Sequence, residues 1–307
     1  MNKLLTVQEV ADILKVKKTT VYEMIKRGEI PSNKIGKQIR ISDDVISKKI
    51  GTYPSIELPA PVAPPSFSPP VSTDNNLILC GQDIALDIIA NRFNTMVNMP
   101  NILRSHAGSY NSLYLLYQGK ANIATCHLWD EASGEYNTSY VRCLLAGMPV
   151  IMTRLFGRTM GIYVKKGNPL NITGWEDFKR KDITIVNREK GSGTRVLLDE
   201  KLKKMNVNRY EVPGYGNEHS SHLSVAATIA RGEGDAGLGI KSFARQIQET
   251  DFIPLQNEWY DMVFFADQIN NNPYRAILDY VASEAFMMEI MHIDDYDFSQ
   301  TGKIRRL

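Results

Sequence analysis

Seven of the chain's 14 prolines lie between Pro54 and Pro70, in the run Tyr53-Pro-Ser-Ile-Glu-Leu-Pro-Ala-Pro-Val-Ala-Pro-Pro-Ser-Phe-Ser-Pro-Pro70. Proline cannot donate to a strand ladder, and each one disfavours helix in the residue before it. The stretch therefore predicts an extended, partly polyproline spacer over residues 52–76, with a small head (residues 1–51) before it and a body (residues 77–307) after it. The 307 residues, 43% of them hydrophobic and 23% charged, are enough for a core on each side of the spacer. The same composition excludes a wholly disordered chain, a collagen and a disulfide-stapled mini-protein.

The spacer also divides the charge. The net value of +2 separates into +5 over residues 1–50, with 11 Lys and Arg against 6 Asp and Glu, and −3 over the remainder. A basic head on a mildly acidic body predicts a polyanion partner for the head alone. Cys80, Cys126 and Cys143 are odd in number and widely spaced, as reduced thiols are. No apolar run reaches the roughly 18–20 residues that span a bilayer, and the start lacks the long apolar stretch of a signal peptide. The expectation is a cytoplasmic protein with no membrane partner.

Within the head, Thr6-Val-Gln-Glu9 reads as a capping box opening a short helix, with Val7, Val10, Ala11 and Leu14 on one face. Lys15-Val16-Lys17 makes a tight turn. A second helix follows from about Lys18 to Arg27, with Val21 and Ile25 inward and Gly28 ending it. Two short helices joined by a tight turn, with the small Ala11 where they cross, are helix-turn-helix geometry. The alternation in Ile35-Gly-Lys-Gln-Ile-Arg-Ile41 predicts a β-hairpin with a basic tip, and Ser42-Asp-Asp44 can cap a closing helix through Ile50.

The stretch from Leu5 to Ile50, with Glu9-Val-Ala-Asp-Ile-Leu14, Gly28-Glu-Ile-Pro31 and Lys34-Ile-Gly-Lys-Gln-Ile-Arg-Ile-Ser42 in order, resembles the MerR/excisionase-type winged helix-turn-helix family. The resemblance implies binding to double-stranded DNA. Lys17, Lys18, Thr19, Thr20 and Tyr22, at the start of the second helix, would face the major groove. Lys26, Lys37 and Arg40 would lie on phosphates or in the adjacent minor groove.

From Leu77 onward, short apolar runs alternate with amphipathic segments, which predicts α/β architecture with a largely parallel sheet. Candidate strands are 77–80, 101–105, 122–125, 149–153, 161–164, 183–186, 236–240 and 252–255. Candidate helices are 84–97, 109–118, 194–205 and 221–231. Several strand-to-helix turns carry Gly, Ser, Thr or Asn: Gly81-Gln-Asp83, Ser105-His-Ala-Gly-Ser109, Thr125-Cys-His127, Asn187 to Arg195, and Gly214 to His222. Such turns leave unpaired amides at helix N-termini, and in open α/β sheets they converge at the carboxyl ends of strands into a polar cleft.

These turns, with His127-Leu-Trp-Asp130, Tyr136-Asn137, Gly232-Glu-Gly-Asp-Ala-Gly-Leu-Gly-Ile240 and Phe252-Ile-Pro-Leu255, give the body its resemblance to type II periplasmic-binding-protein domains. The resemblance is greatest to the branch related to molybdate-binding proteins and often fused to helix-turn-helix heads. It implies two lobes, the second over about residues 160–256, closing on a hinge near Arg158–Gly161 and Asn257–Asp261. The first lobe would offer Asp83, Ser109, Thr125 and His127 to a ligand. The second would offer Ser192, Thr194, Arg195, Glu218 and Ser221. Hydroxyls, amides and Arg195 suit an oxyanion such as molybdate or tungstate. Asp83 and Glu218 suit it only as caps or salt-bridge partners pointing away, and otherwise favour a small organic metabolite.

Other motifs carry less. Gly232-Glu-Gly-Asp-Ala-Gly237 spells GxGxxG but follows a helix and enters a strand, the reverse of the dinucleotide-binding order. His127, His219 and His222 with Cys126 lack any metal-ligand spacing, so neither metal nor cofactor is expected. Cys126 and His127 are chain neighbours in an extended turn and point apart, so no catalytic pair is expected, nor an enzyme. Met287, Met288 and Met291 read as core packing. The fold expected is thus multidomain, a small winged helix-turn-helix head plus a two-lobed α/β periplasmic-binding-protein-like (type II) body. The function expected is a ligand-responsive one-component transcriptional regulator, working as a homodimer because a lone head offers few base contacts. The alternative is an excisionase-like DNA-binding protein whose body senses nothing.

Overall fold

The computed structural model describes residues 4–36, 38–43, 45–46, 76–293 and 295–307. The spacer over 52–75, Lys37, and the expected helix end through Ile50 lie outside the described residues. The chain divides into two units, one before and one after the junction of residues 67 and 68.

The head is built from β1 (Leu4–Thr6), α1 (Val7–Leu14), α2 (Lys18–Lys26), β2 (Asn33–Ile35) and β3 (Gln38–Ser42). The capping box is formed: Thr6 Oγ1 accepts from the Glu9 amide at 3.2 Å, and the Thr6 amide donates to the Glu9 carboxylate at 2.7 Å. Gly28 adopts φ +76° just past α2, where a side chain would be strained. β1, β3 and β2 form a three-stranded antiparallel sheet, with Ile35 opposite Gln38 across the hairpin turn. Val7, Val10 and Ala11 of α1, Val21 of α2, and Leu5, Ile30, Ile41 and Ile46 are buried together. Each fully buried branched side chain contributes about 1.5–3 kcal/mol, which two short helices need because alone they are marginal.

The body begins with β4 (Asn76–Cys80), α3 (Ala85–Asn94), β5 (Asn101–Ser105), α4 (Ser109–Tyr117) and β6 (Ile123–Cys126). A two-stranded hairpin, β7 (Trp129–Asp130) and β8 (Glu135–Tyr136), and α5 (Thr138–Leu144) lead to β9 (Val150–Lys165). Next come β10 (Ile185–Arg188), α6 (Gly193–Lys204), β11 (Glu218–His219), α7 (His222–Ala230), β12 (Ala236–Ile240) and α8 (Lys241–Gln246). The chain ends with β13 (Thr250–Phe265), α9 (Asn272–Val281), α10 (Glu284–Ile290) and β14 (Ile304–Arg306).

One mixed sheet of nine strands runs through the body in the order β11-β10-β12-β9-β13-β6-β4-β5, with β14 on the first half of β9. The outer strands of each lobe are parallel, as the βα alternation predicts. The centre is not: β9 and β13, 16 residues each, pair antiparallel along their length and pass from one lobe into the other. Neither length is apparent in the sequence pattern: Asn257, Glu258 and Asp261 interrupt the apolar run of β13, and Arg154 and Arg158 interrupt that of β9. The structure places their charge partners directly across, Asp261 opposite Arg154 and Glu258 opposite Arg158. β13 is bulged at Pro254 to Gln256, where proline has no amide to give to the ladder, and again between Tyr260 and Asp261.

Each lobe covers both faces of its part of the sheet. In the first, α3, α9 and α10 pack Leu86, Ile89, Phe93, Ile277 and Phe286 on one face, and α4 and α5 pack Leu113, Leu116 and Val141 on the other. In the second, α6 packs Leu197, Leu198 and Leu202 on one side while α7 packs Val225, Ala226 and Ile229 on the other. The C-terminal methionines are not the core there. Phe286 and Ile290, four apart on α10, take the buried positions, leaving Met288 and Met291 exposed.

Candidate functional site

The head offers one composite surface. Helix α2 starts without a side-chain cap and with no acid in its first turn, yet Lys17 and Lys18 sit at that end. Two cations at the positive end of a helix dipole repel it, and a phosphate placed there relieves the repulsion while accepting the free amides. Lys17, Lys18, Thr19, Tyr22 and Lys26 are exposed, whereas Thr20 and Arg40 are half-buried, with Arg40 donating to Gln38 at 2.7 Å. Lys18 and Tyr22 share a groove of about 610 Å³ with Gln8 of α1 and with Lys34, Gln38 and Ile39 of the hairpin. Lys34 and Gln8 were not singled out from sequence. Only the folded hairpin and the start of α1 bring them beside α2.

In the body, the two lobes meet over a buried charge network where β9 and β13 cross. Arg158, 2% exposed, donates through Nε to Glu258 Oε1 at 2.6 Å and through Nη1 to Asp83 Oδ2 at 2.5 Å, with the Tyr260 ring 4.6 Å from its guanidinium. The other oxygen of Glu258 lies 3.0 Å from His127 Nδ1. Burial alone would raise the Glu258 carboxyl, but the charges of His127 and Arg158 outweigh it and hold Glu258 down at about 2. Asp83 Oδ1 accepts from the Ala85 amide at 2.8 Å, in the turn that leads into α3, and from Tyr296 Oη at 2.9 Å. Both carboxylates are thus fully engaged beneath the cleft rather than facing a ligand.

Above this floor the turns converge. Gly81 has φ +151°, and a Cβ there would fall 2.0 Å from Thr125 Oγ1. Only glycine lets the strand turn this tightly over Thr125, which bonds to the Cys80 carbonyl and Tyr260 Oη at 2.8 Å each. The next residue, Gln82, reaches across the lobes and accepts from Arg188 Nη2 at 2.7 Å. Arg188, also 2% exposed, bonds the Ser220 carbonyl at 3.0 Å and pairs with its neighbour Glu189. The N-terminus of α4 touches the turn before α6, with the Tyr110 amide donating to the Gly191 carbonyl at 2.9 Å.

Two buried polar atoms at this junction have no hydrogen-bond partner: Thr194 Oγ1 and His222 Nδ1. Thr194 follows Gly193, whose Cβ would lie 2.5 Å from the His127 ring. Burial, and then the charges of Arg188, Arg158 and His127, push the His222 imidazole well below its usual range, so it is neutral at pH 7. A buried, unpaired polar atom costs about 1–3 kcal/mol, and a pair of them where helix N-termini converge is what a hydrogen-bonding ligand would satisfy.

Of the residues expected in the cleft, Asp83, Ser109, Thr125, His127, Ser192 and Thr194 are brought together. Ser109 Oγ accepts from the His127 amide at 3.1 Å, and Ser192 caps α6 by accepting from the Arg195 amide at 3.2 Å. The other three lie elsewhere. One residue on from Thr194, the helix turn of about 100° carries Arg195 out of the cleft, where Nη1 meets Glu218 at 3.3 Å and the guanidinium lies 4.0 Å over Tyr215. Ser221 is exposed and caps α7 with Ser224. In their place stand Gln82, Arg158, Arg188, His222 and Glu258. The available signal was the alternation of charge within two apolar runs, which marks buried ion pairs. Among the described residues, no group of three His, Cys, Asp or Glu side chains is placed to hold a metal. No helix among them is long and apolar enough to cross a membrane.

A winged helix-turn-helix head and a two-lobed body with a polar cleft define a DNA-binding protein with a ligand-binding domain. The comparisons agree: residues 90–282 match the PBP superfamily domain and residues 4–47 a helix-turn-helix domain, so the chain belongs to the PBP superfamily. It is 39% identical over 302 residues to the uncharacterized protein YvgK of Bacillus subtilis (strain 168), spanning 97% of this chain and 96% of that one. Among solved structures, a candidate phosphate ABC transporter substrate-binding protein from Clostridium perfringens, with bound phosphate, superposes with TM-score 0.53 at 13% identity. That match covers 71% of this chain and 97% of the other. An ABC-type phosphate transport receptor from Vibrio cholerae gives TM-score 0.51 at 16% identity over 72% and 99%. At these identities the likeness is one of fold.

Proposed function

We propose that this protein is a ligand-responsive one-component transcriptional regulator that reads operator DNA with its head and senses a small oxyanion, such as molybdate or tungstate, in the interlobe cleft. The supporting observation is the pair of unpartnered, buried polar atoms, Thr194 Oγ1 and His222 Nδ1, beside Arg158 and Arg188. An oxyanion carries acceptors for the Thr194 hydroxyl and for His222 in the tautomer that protonates Nδ1, and the similar fold from Clostridium perfringens holds phosphate. The cleft has a sensing and not a catalytic role in this reading, the working form is a cytoplasmic homodimer, and lobe closure changes how two heads meet two half-sites.

A second reading has one observation in its favour. Glu189 stands at the lobe junction, hydrogen-bonded to Arg188, and a carboxylate there repels a dianion while welcoming a hydroxyl or amine. A small organic acid bearing such a group fits that arrangement. Thermal unfolding with molybdate, tungstate, phosphate, sulfate and hydroxy acids separates the two. At 100 times its dissociation constant a ligand adds about 2.7 kcal/mol. Stabilisation by molybdate or tungstate alone is the expected result, and stabilisation by hydroxy acids with none by any oxyanion replaces the first reading with the second.

A further inference from the structure

The residues that leave the cleft build something of their own. Arg195, Lys190 and Glu218 line a cavity of about 600 Å³ on the second lobe, closed by the segment from Arg209 to Gly216. Arg195 is 3% exposed, with its guanidinium carbon 4.0 Å from the centre of the Tyr215 ring and its buried Nε 3.6 Å from Asp199. Tyr215 Oη donates to Asp199 at 2.6 Å, which fixes the ring. Tyr210, 75% exposed, stands edge-on to Tyr215 with ring centroids 5.9 Å apart. Gly214 presses its backbone onto Ile185 of β10, whereas a Cβ on Gly216 would meet nothing within 4 Å, so bare backbone faces open space there.

Asp199 and Glu218 are neutralised by Arg195 and Arg209, and Glu211 by Lys181. Lys190, exposed at the wall, remains as a cation beyond that balance. A large exposed tyrosine, a wall of charges that balance one another and one further exposed lysine together describe a ring to be stacked and a single negative charge to be met. We infer that this cavity is a second binding site, distinct from the cleft, for a small aromatic carboxylate. It touches the cleft through Arg195, whose Nη1 donates to the Arg188 carbonyl at 2.9 Å and whose amide donates to Ser192 Oγ at 3.2 Å.

The test is calorimetric titration of the full chain with benzoate and 4-hydroxybenzoate, against phenol, acetate and AMP. The expected result is sub-millimolar binding of an aromatic carboxylate and at least tenfold weaker binding of phenol and acetate. Lys190→Ala and Tyr210→Ala each weaken it at least fivefold, and Gly216→Leu, at a position where a Cβ meets nothing within 4 Å, abolishes it. All three change surface or open positions, and circular dichroism checks that they fold. Molybdate binding in the same variants stays at the wild-type value, which separates this site from the cleft. No binding of either carboxylate at millimolar concentration, binding of AMP alone, or binding unmoved by all three variants overturns the inference.

Discussion

The groove of the head joins residues between Thr6 and Ile39, whereas the cleft joins Asp83 to Tyr296, 213 positions apart in the chain. The head also leaves its ion pairs in water: Arg27 and Glu29, 2.9 Å apart, have side chains 61% and 39% exposed. In the body, Arg158, Asp83 and Glu258 keep side-chain exposures of 1–2%. The first arrangement makes a surface that a polyanion can approach from solvent. The second places charge beneath a site, where each partner depends on the others and the geometry cannot relax by rehydration.

That difference can be broken by substitution. Arg158→Met leaves Asp83 without its cation and Glu258 with His127 alone, and is expected to cost the body about 3–5 kcal/mol in denaturant unfolding. Arg27→Ala, the matching change in the head, should stay within about 0.5 kcal/mol. Equal effects would mean that the buried network is no more demanding than the surface pair.

Acid separates the regions next. Glu258 is held near 2, below its usual 4.5, so its contribution is complete above about pH 5 and is lost as pH falls toward 2. His222 adds an earlier window. Its folded value is lowered, so the unfolded chain takes up its proton first, and stability declines as pH drops below about 6.5. The body should therefore lose a few kcal/mol between pH 6.5 and 3, with the upper part of the decline absent in His222→Gln. A body whose unfolding midpoint is flat across that range contradicts the network.

Smaller effects belong to the head. Thr6→Ala removes the cap of α1 and should lower head stability by about 1 kcal/mol. Lys18→Ala should weaken DNA binding several-fold for every sequence tested and reduce the slope of log affinity against log salt by about 1, leaving ligand binding in the body unchanged. A loss confined to one DNA sequence would instead make Lys18 a base-reading residue.

The same contrast explains what could be read from the chain before its structure. The head was legible almost throughout, because a capping box, a four-residue period and a tight turn act within a few residues of each other. The outer βα units of the body were legible for the same reason. The two central strands were not, because Arg154 and Arg158 look like solvated charges until Asp261 and Glu258 lie opposite them. The cleft followed that pattern. Residues within the turns were found, while Arg158, Arg188 and Glu258, which the turns close around, were not. Arg195 and Glu218 were placed by their motif, and only the rotation of α6 and the position of β11 show that they face another cavity.

In the proposed regulator, ligand in the cleft changes the affinity of the head for DNA. Fluorescence anisotropy on the DNA upstream of the protein's own reading frame, titrated with protein in the presence and absence of molybdate, tests it most directly. The expected result is at least a tenfold change in apparent Kd on saturation, about 1.4 kcal/mol of coupling, and its disappearance in Arg188→Ala, which removes the bond from the second lobe to Gln82. DNA affinity that stays the same while molybdate demonstrably occupies the body would contradict it.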